Sequence, residues 1–122
     1  MNPRAITGFG IVSTLGIGRD AFFREMRAPH LVASTPPHPV QTFDGTKYPE
    51  AGVAEVRDFD ATKFLGDKGL RTLDRLTKLL IVSARLAMHD AGFKKDNAYV
   101  HKGPEQVGIC CSNAYCSLEA IT

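Results

Sequence analysis

The segment Arg71–Gly92 has the sequence RTLDRLTKLLIVSARLAMHDAG and decides the fold class of this chain. Apolar residues recur along it at the 3.6-residue period of an α-helix. Leu79, Ile81 and Val82 widen the apolar stripe until the middle is hydrophobic nearly all round. The pattern predicts a buried helix over about residues 70–91. The stripe itself consists of Leu73, Leu76, Leu80, Ala84, Ala87 and Ala91.

The C-terminal end of this helix and its packing can also be predicted. Gly92 is able to adopt the left-handed conformation that ends many helices, and Phe93 would then fold back onto the helix. A helix of this length is only marginal alone in water, so other elements must pack around it. Because Ser83, Ala84, Ala87 and Ala91 are small, those neighbours are expected to come close.

The composition is that of a soluble single-domain globular protein. The chain has 122 residues, 43% hydrophobic and 23% charged, and its net charge of +2 is too small to indicate a nucleic-acid partner. No stretch has the length of a signal-peptide core or of a membrane span, so we expect a cytoplasmic protein with no membrane partner. Three cysteines, two of them adjacent, are typical of reduced thiols rather than of a disulfide framework.

A glycine-bearing strand is predicted near the start of the chain. Residues 4–13 contain several aliphatic and aromatic side chains interrupted by Gly8 and Gly10, a pattern typical of a buried strand that runs into a turn. A dinucleotide-binding loop is the alternative, but its third glycine would fall on Ser13 and the following helix begins too late. We therefore expect the glycines to allow bending and close packing.

A proline-rich excursion separates this strand from the central helix. Residues 29–49 contain five of the seven prolines and show no helical or strand period, so they are predicted to form a surface loop. After it, Ala51–Val56 alternates in the manner of a short, half-exposed strand. The acidic segment 58–60 is expected to cap a helical turn over residues 61–65.

A second buried strand is predicted at Gln106–Cys111, because this segment is apolar on both faces, as strands of parallel sheets are. A strand, an excursion, a helix and another strand form a crossover unit, so this strand and residues 4–13 should be parallel. A short helix from Asp20, its predicted N-cap, to Arg27 would add to the covering layer. The fold predicted is one α/β domain over residues 1–122, with a mostly parallel sheet and covering helices.

Several segments resemble one protein family. They are the opening ITGFGIVSTLG (residues 6–16), the stretch FDGTKYP (residues 43–49) and the central helix, from RTLDRL (residues 71–76) to DAGF (residues 90–93). Together they resemble the β-ketoacyl-acyl-carrier-protein synthases, the condensing enzymes of fatty-acid and polyketide assembly. The similarity extends from Ile6 to Ile121. It implies a partial thiolase-like fold, namely the front part of the N-terminal half of a two-halved α/β fold that acts as a dimer.

The resemblance assigns no catalytic residue to this chain. It implies that the catalytic cysteine lies beyond the end of this sequence and that two histidines come from the second half. Cys110 and Cys111 lie in the predicted buried strand, where thiols are unreactive. Cys116 is the better nucleophile candidate, but no histidine is close to it in sequence. The cysteine spacing also argues against zinc, so neither a metal nor a cofactor is expected.

The turn after the second predicted strand departs from the family pattern. The family has a glycine-rich turn there, whereas this chain has SNAYCS at residues 112–117. Tyr115 stands at the variable position that lines the acyl pocket near the dimer interface in the family. Two hypotheses are equally open: the phenol ring narrows or polarises the acyl pocket, or it only fills the interface.

Three functional hypotheses follow. The first is the N-terminal portion of a β-ketoacyl synthase, not catalytic by itself, that takes part in decarboxylative Claisen condensation of acyl and malonyl thioesters. The second is a non-catalytic partner subunit resembling a chain-length factor, which the unusual turn favours. The third is a stand-alone α/β binding module. The first two imply acyl carrier protein as a partner, together with a homodimer or a heterodimer that supplies a ketosynthase chain or the remainder of the fold. Whether the chain is itself an enzyme is left open.

An incomplete half of the fold would leave apolar surface uncovered. Each large side chain that stays exposed forgoes roughly 1.5–3 kcal/mol of burial free energy. We therefore expect the chain to expose an apolar face and to associate with itself or with a second polypeptide.

Overall fold

A computed structural model describes residues 2–28, 40–47 and 54–113 of the chain. The chain divides into two compact units. The long-helix unit consists of Met1–Gly10 and Asp60–Thr122, and the insert unit consists of Ile11–Phe59. Most of the proline-rich excursion, the first half of the strand predicted at Ala51–Val56, and residues 114–122 lie outside the described residues.

The described residues form a small α/β structure with three α-helices and two short antiparallel sheets. Each sheet is a single two-stranded hairpin, in which β1 pairs with β2 and β3 pairs with β4. The elements in chain order are β1 (Val12–Ser13), β2 (Gly16–Ile17), α1 (Arg19–Met26), α2 (Thr62–Leu65), α3 (Arg75–Asp90), β3 (Lys94–Lys95) and β4 (Ala98–Tyr99), with 3-10 turns at Gly45–Lys47 and Pro104–Gln106.

Helix α3 is the predicted central helix, and local side-chain and backbone hydrogen bonds set both of its ends. It begins later than expected because the carboxylate of Asp74 caps it, accepting a hydrogen bond of 2.7 Å from the amide of Thr77. Its C-terminal end confirms the prediction, since Gly92 has a φ of 72°. The amide of Gly92 donates to the carbonyl of His89, and the amide of Phe93 donates to that of Met88. These two bonds form a Schellman motif.

The prediction that α3 is buried nearly all round was wrong for the described residues. Val82 is fully buried, with 0% of its surface exposed, but Leu80 on the neighbouring face is 48% exposed. The only other buried apolar residues among those described are Ala61 and Leu70. The described elements therefore cover one side of α3 and leave the rest of its apolar circumference open.

The covered side of α3 is in contact with the glycine segment, which we define as residues 2–10. A Cβ atom placed on Gly8 would lie 2.5 Å from the amide nitrogen of Ala91, and one on Gly10 would lie 2.6 Å from that of Ala87. Real Cβ atoms do not approach backbone so closely, so only glycine fits at either position. The expected close packing of glycines against small helix residues is confirmed.

Two hydrogen bonds fix the glycine segment on the helix. The hydroxyl of Ser83 donates to the carbonyl oxygen of Gly10. One carboxylate oxygen of Asp90 accepts a hydrogen bond of 2.9 Å from the amide of Phe9. In a sheet, the amide of Phe9 and the carbonyl of Gly10 would bond to a neighbouring strand. Here they bond to side chains of α3 instead.

The two buried, parallel strands expected on either side of the helix are not formed by the described residues. Of residues 4–13, only Val12 and Ser13 are in a strand, and that strand pairs antiparallel with β2. Residues 107–113 contain no strand. Ile6 and Ile109, expected in the interior, are 80% and 82% exposed. A parallel sheet needs neighbouring parallel strands and helices that cover both of its faces. The described residues form only two-stranded antiparallel hairpins, so there is no parallel sheet for their helices to cover.

The insert unit contains helix α1 and a set of hydrogen bonds to Glu55. Helix α1 begins two residues earlier than expected, at Arg19, because Gly18 with a φ of 92° is its N-cap in place of Asp20, which falls in the first turn. Further along, the carboxylate of Glu55 accepts hydrogen bonds of 2.8 and 2.9 Å from the amides of Gln41 and Thr42. Residues 54–56, the described end of the strand expected at 51–56, contain no strand.

The helical turn expected over residues 61–65 is confirmed as α2, but its N-cap is Ala61 and not a residue of the acidic segment 58–60. Asp60 directly precedes this N-cap. Its carboxylate accepts hydrogen bonds from the hydroxyl and the amide of Thr62, at 2.6 and 2.9 Å. The hydroxyl bond, and after it the amide bond, holds the pKa of Asp60 below its usual value. This arrangement explains why an aspartate directly precedes the turn.

The contact between the glycine segment and α3 gives a stability prediction. Gly10→Ala should lower the free energy of unfolding by about 1–3 kcal/mol, because the added methyl group must displace backbone of α3. Gly108→Ala is the matched control, since a Cβ there meets no atom within 4 Å. Its effect should stay below about 1 kcal/mol. Urea unfolding followed by circular dichroism measures both, and equal effects would contradict the close contact.

Candidate functional site

The residues singled out from the sequence are only partly within the described structure. Tyr115, the expected acyl-pocket residue, and Cys116, the better nucleophile candidate, both lie outside the described residues. Cys110 and Cys111 lie within them, and both have free thiols that are exposed. The expectation that these two cysteines are buried was wrong, because no strand of the described residues covers the segment that holds them.

An apolar groove of about 430 Å³ lies beside Cys110 in the long-helix unit. We call it the helix–hairpin groove, because one side is α3 and another is the hairpin of β3 and β4. Residues 107–110 form the remaining wall, and Leu65 of α2 closes one part of it. Helix α3 contributes Ile81, Ala84, Arg85, Ala87 and Met88; the hairpin contributes Lys94 and Tyr99; and the wall contributes Val107, Gly108, Ile109 and Cys110.

The β3–β4 hairpin was not predicted from the sequence. Asp96 adopts the left-handed conformation, with a φ of 54°, at the first position of the two-residue turn. Asp and Asn are among the residues that tolerate this conformation. The dipeptide Asp96-Asn97 was therefore a usable turn signal. The strands are only two residues long, too short for an alternating pattern to be visible.

Two contacts hold the hairpin beside the helix. The guanidinium of Arg85 donates a hydrogen bond of 3.2 Å to the backbone carbonyl of Asp96. Within the hairpin, the ammonium of Lys94 lies 4.9 Å from the centre of the Tyr99 ring, in a cation–π contact. Both cations thus lie on the hairpin side of the groove. The rest of its lining is mostly aliphatic, so the groove has a charged side and an apolar interior.

The described part of the chain contains neither a cluster of metal ligands nor a membrane-spanning helix. Within residues 2–28, 40–47 and 54–113, no three His, Cys, Asp or Glu side chains are grouped so that they could hold a metal ion. In the same ranges, no helix has the length and apolarity needed to cross a bilayer.

The curated proteins that are similar to this chain include 3-oxoacyl-(acyl-carrier-protein) synthases and subunits of polyketide ketoacyl synthases. The chain is 34% identical over 89 residues to 3-oxoacyl-(acyl-carrier-protein) synthase 2 of Coxiella burnetii, a match that covers 73% of this chain and 20% of that protein. It is 33% identical over 94 residues to the tetracenomycin polyketide synthase ketoacyl synthase beta subunit of Streptomyces glaucescens, covering 77% and 22%. The alpha subunit of the same synthase is 33% identical over 110 residues, covering 89% and 24%.

The chain is a partial β-ketoacyl synthase-like sequence. The predicted resemblance is confirmed, and it covers about three quarters of this chain or more. The chain spans only about a fifth to a quarter of the length of these relatives. No protein-family model and no solved structure matches it. The family relationship of this partial synthase sequence therefore rests on its similarity to whole curated synthases and synthase subunits.

Proposed function

We propose that this chain forms the N-terminal portion of a β-ketoacyl-acyl-carrier-protein synthase of the thiolase fold, and that further polypeptide completes it. The match to a fifth of a curated 3-oxoacyl synthase is the observation that carries the proposal. The open faces of the long-helix unit support it, since Leu80, Ile6 and Ile109 are large apolar residues left in contact with water. They would become interior residues once further strands and helices cover α3.

The chemistry of condensation explains why the chain would not be catalytic by itself. Decarboxylative condensation needs a thiolate that holds the acyl group and donors that stabilise the enolate formed as the malonyl group loses carbon dioxide. If the resemblance extends to the active site, that cysteine and both histidines would come from polypeptide beyond this sequence. The complete assembly would then act in the cytoplasm, joining acyl and malonyl thioesters on acyl carrier protein, as a homodimer or a heterodimer.

A non-catalytic partner subunit resembling a chain-length factor is the second candidate. The chain is as similar to the beta subunit of the tetracenomycin ketoacyl synthase as to the alpha subunit, at 33% identity to each. The replacement of the family's glycine-rich turn by residues 112–117 also favours this role. In either role, Tyr115 would stand at the acyl-pocket position.

Native mass spectrometry of the purified protein, followed by denaturing mass on the same sample, tests the proposal. We expect the 13.3 kDa chain to be bound to a second polypeptide that contains the catalytic cysteine and the histidines. The complex should release carbon dioxide from malonyl-acyl carrier protein, and the separated chain should not. A well-folded monomer without a partner would contradict the proposal. A bound second chain without those catalytic residues would contradict it equally.

The role of Tyr115 can be tested in the assembled enzyme. If the phenol narrows the acyl pocket, Tyr115→Ile should change the ratio of kcat/KM for long against short acyl chains by about tenfold or more. Tyr115→Phe is the matched control, because it keeps the aromatic ring at the same position and removes only the hydroxyl group. If Tyr115→Ile leaves the ratio of kcat/KM for long against short acyl chains unchanged, Tyr115 does not shape the acyl pocket and only fills the interface.

A further inference from the structure

We propose that Cys110 is a thiol–disulfide exchange site for an anionic small-molecule disulfide such as glutathione disulfide, and that the resulting adduct prevents the completing polypeptide from docking. The exchange depends only on described residues of the isolated chain. The effect on docking rests on the proposed function, because it needs a polypeptide that covers residues 106–111.

Two adjacent thiols lie in an exposed run of residues. Every residue from 108 to 113 is exposed, and none of them is in a helix or a strand. Both thiols are free. A disulfide exchanges only with a cysteine that it can reach, so exposed thiols react and thiols in a closed interior do not. Cys110 and Cys111 are therefore open to exchange as long as no further strand or helix covers them.

The surrounding charge distinguishes Cys110 from Cys111. Cys110 lines the helix–hairpin groove together with Arg85 and Lys94, and Cys111 does not line it. None of the described residues that line the groove is Asp or Glu. The hydrogen bond from Arg85 to the carbonyl of Asp96 keeps the guanidinium on the hairpin side. Because a surface lined by cations raises the local concentration of anions, an anionic disulfide should react faster at Cys110 than at Cys111.

The exchange step transfers one half of the disulfide to Cys110. The Cys110 thiolate attacks one sulfur of glutathione disulfide, so that a bond from Sγ to that sulfur forms and the bond between the two glutathione sulfurs breaks. The second glutathione leaves as a thiolate and takes up the proton that Cys110 lost. Cys110 is thereby oxidised to a mixed disulfide, and the released glutathione is the reduced product.

The adjacent thiol is poorly placed to remove the adduct. Displacement by Cys111 would need a disulfide between neighbouring residues, whose Cα atoms are only about 3.8 Å apart across a trans peptide bond. Ordinary disulfides join Cα atoms that are roughly 4.4–6.8 Å apart. The mixed disulfide at Cys110 should therefore persist until an external thiol reduces it.

The adduct places charge in a segment that the completed fold would bury. Adjacent residues of a strand point to opposite faces of a sheet, and the segment Gln106–Cys111 is suited to burial on both faces. A glutathionyl group carries carboxylates and an ammonium group, and burying charges without partners is strongly unfavourable. The modified chain should therefore not accept the completing polypeptide, and reduction should restore docking.

The first experiment compares three disulfides on the reduced, isolated chain: anionic glutathione disulfide, neutral hydroxyethyl disulfide and cationic cystamine. Peptide mass spectrometry gives the rate of adduct formation at Cys110 and at Cys111. Their ratio cancels the intrinsic reactivity of each disulfide. We expect the ratio to be highest for glutathione disulfide and lowest for cystamine, and the difference to shrink at high salt. The same ratio for all three reagents would overturn the proposal, and so would a disulfide within the chain as the main product.

Charge variants test the cause of this preference. Lys94→Gln should lower the Cys110 to Cys111 rate ratio for glutathione disulfide about two- to fivefold, the effect of losing one partly exposed charge interaction. Lys95→Gln is the matched control, since Lys95 is the next residue of the same strand, is exposed, and does not line the groove. Equal ratios for the two variants would contradict the electrostatic selection of Cys110.

The second experiment tests the effect on docking. The chain carrying glutathione at Cys110 is mixed with the second polypeptide recovered from the complex, and native mass spectrometry measures the bound fraction. We expect binding at least about tenfold weaker than that of the reduced chain, and recovery with dithiothreitol. A chain with both Cys110→Ser and Cys111→Ser, treated in the same way, should bind normally. Equal binding of the modified and reduced chains would overturn the docking effect. If the reduced chain binds no second polypeptide, the proposed function and the docking effect fail together, whereas the rate ratio is decided on the isolated chain alone.

Discussion

Backbone lies directly against backbone where Gly8 and Gly10 meet the C-terminal half of α3, and the long-helix unit depends on that contact. The approach is possible because residues on both sides are small, with Ser83 and Ala87 facing the two glycines. It brings the Ser83 hydroxyl and the Asp90 carboxylate within reach of the glycine segment's backbone, and each forms a hydrogen bond with it. Segments 81 residues apart in sequence are thereby joined without any strand ladder.

This contact stabilises one side of α3 only. Val82 is fully buried, whereas Leu80, two residues earlier, is about half exposed. Burying a side chain of that size is worth roughly 1.5–3 kcal/mol, a large share of the 5–15 kcal/mol that stabilises an ordinary domain. The described residues therefore leave the Leu80 face of the helix uncovered, and packing of further elements against this face would add stability. The exposed helix face and the similarity to a fifth of a much longer synthase lead independently to the same proposal.

The features predicted from the sequence are those that local interactions determine. Three predicted features agree with the structure: the Gly92 cap, the turn at α2 and the close approach of the glycines. The first two depend on residues within a few positions of each other, and the third depends on side-chain size. The predicted buried strands at 4–13 and 106–111 do not agree with the structure. An apolar pattern shows that a segment is suited to burial, but whether it is buried depends on what packs against it.

The β3–β4 hairpin was missed for the opposite reason. Its strands of two residues carry no period, and its only signal was the Asp96-Asn97 dipeptide. The helix–hairpin groove could not be predicted either, because it is built from four segments that meet only in the folded chain.

Hydrogen–deuterium exchange of the isolated chain tests most directly whether its apolar strands are unfinished. Helix α3 provides the internal reference, since its amides from Leu79 onward are within a hydrogen-bonded helix. We expect those amides to be protected, and the amides of residues 108–111 to exchange at nearly the rate of an unfolded peptide. Binding of the completing polypeptide should then slow exchange in residues 108–111. Protection of these residues in the isolated chain, equal to that of α3, would show that the strand is already formed and would contradict an unfinished fold.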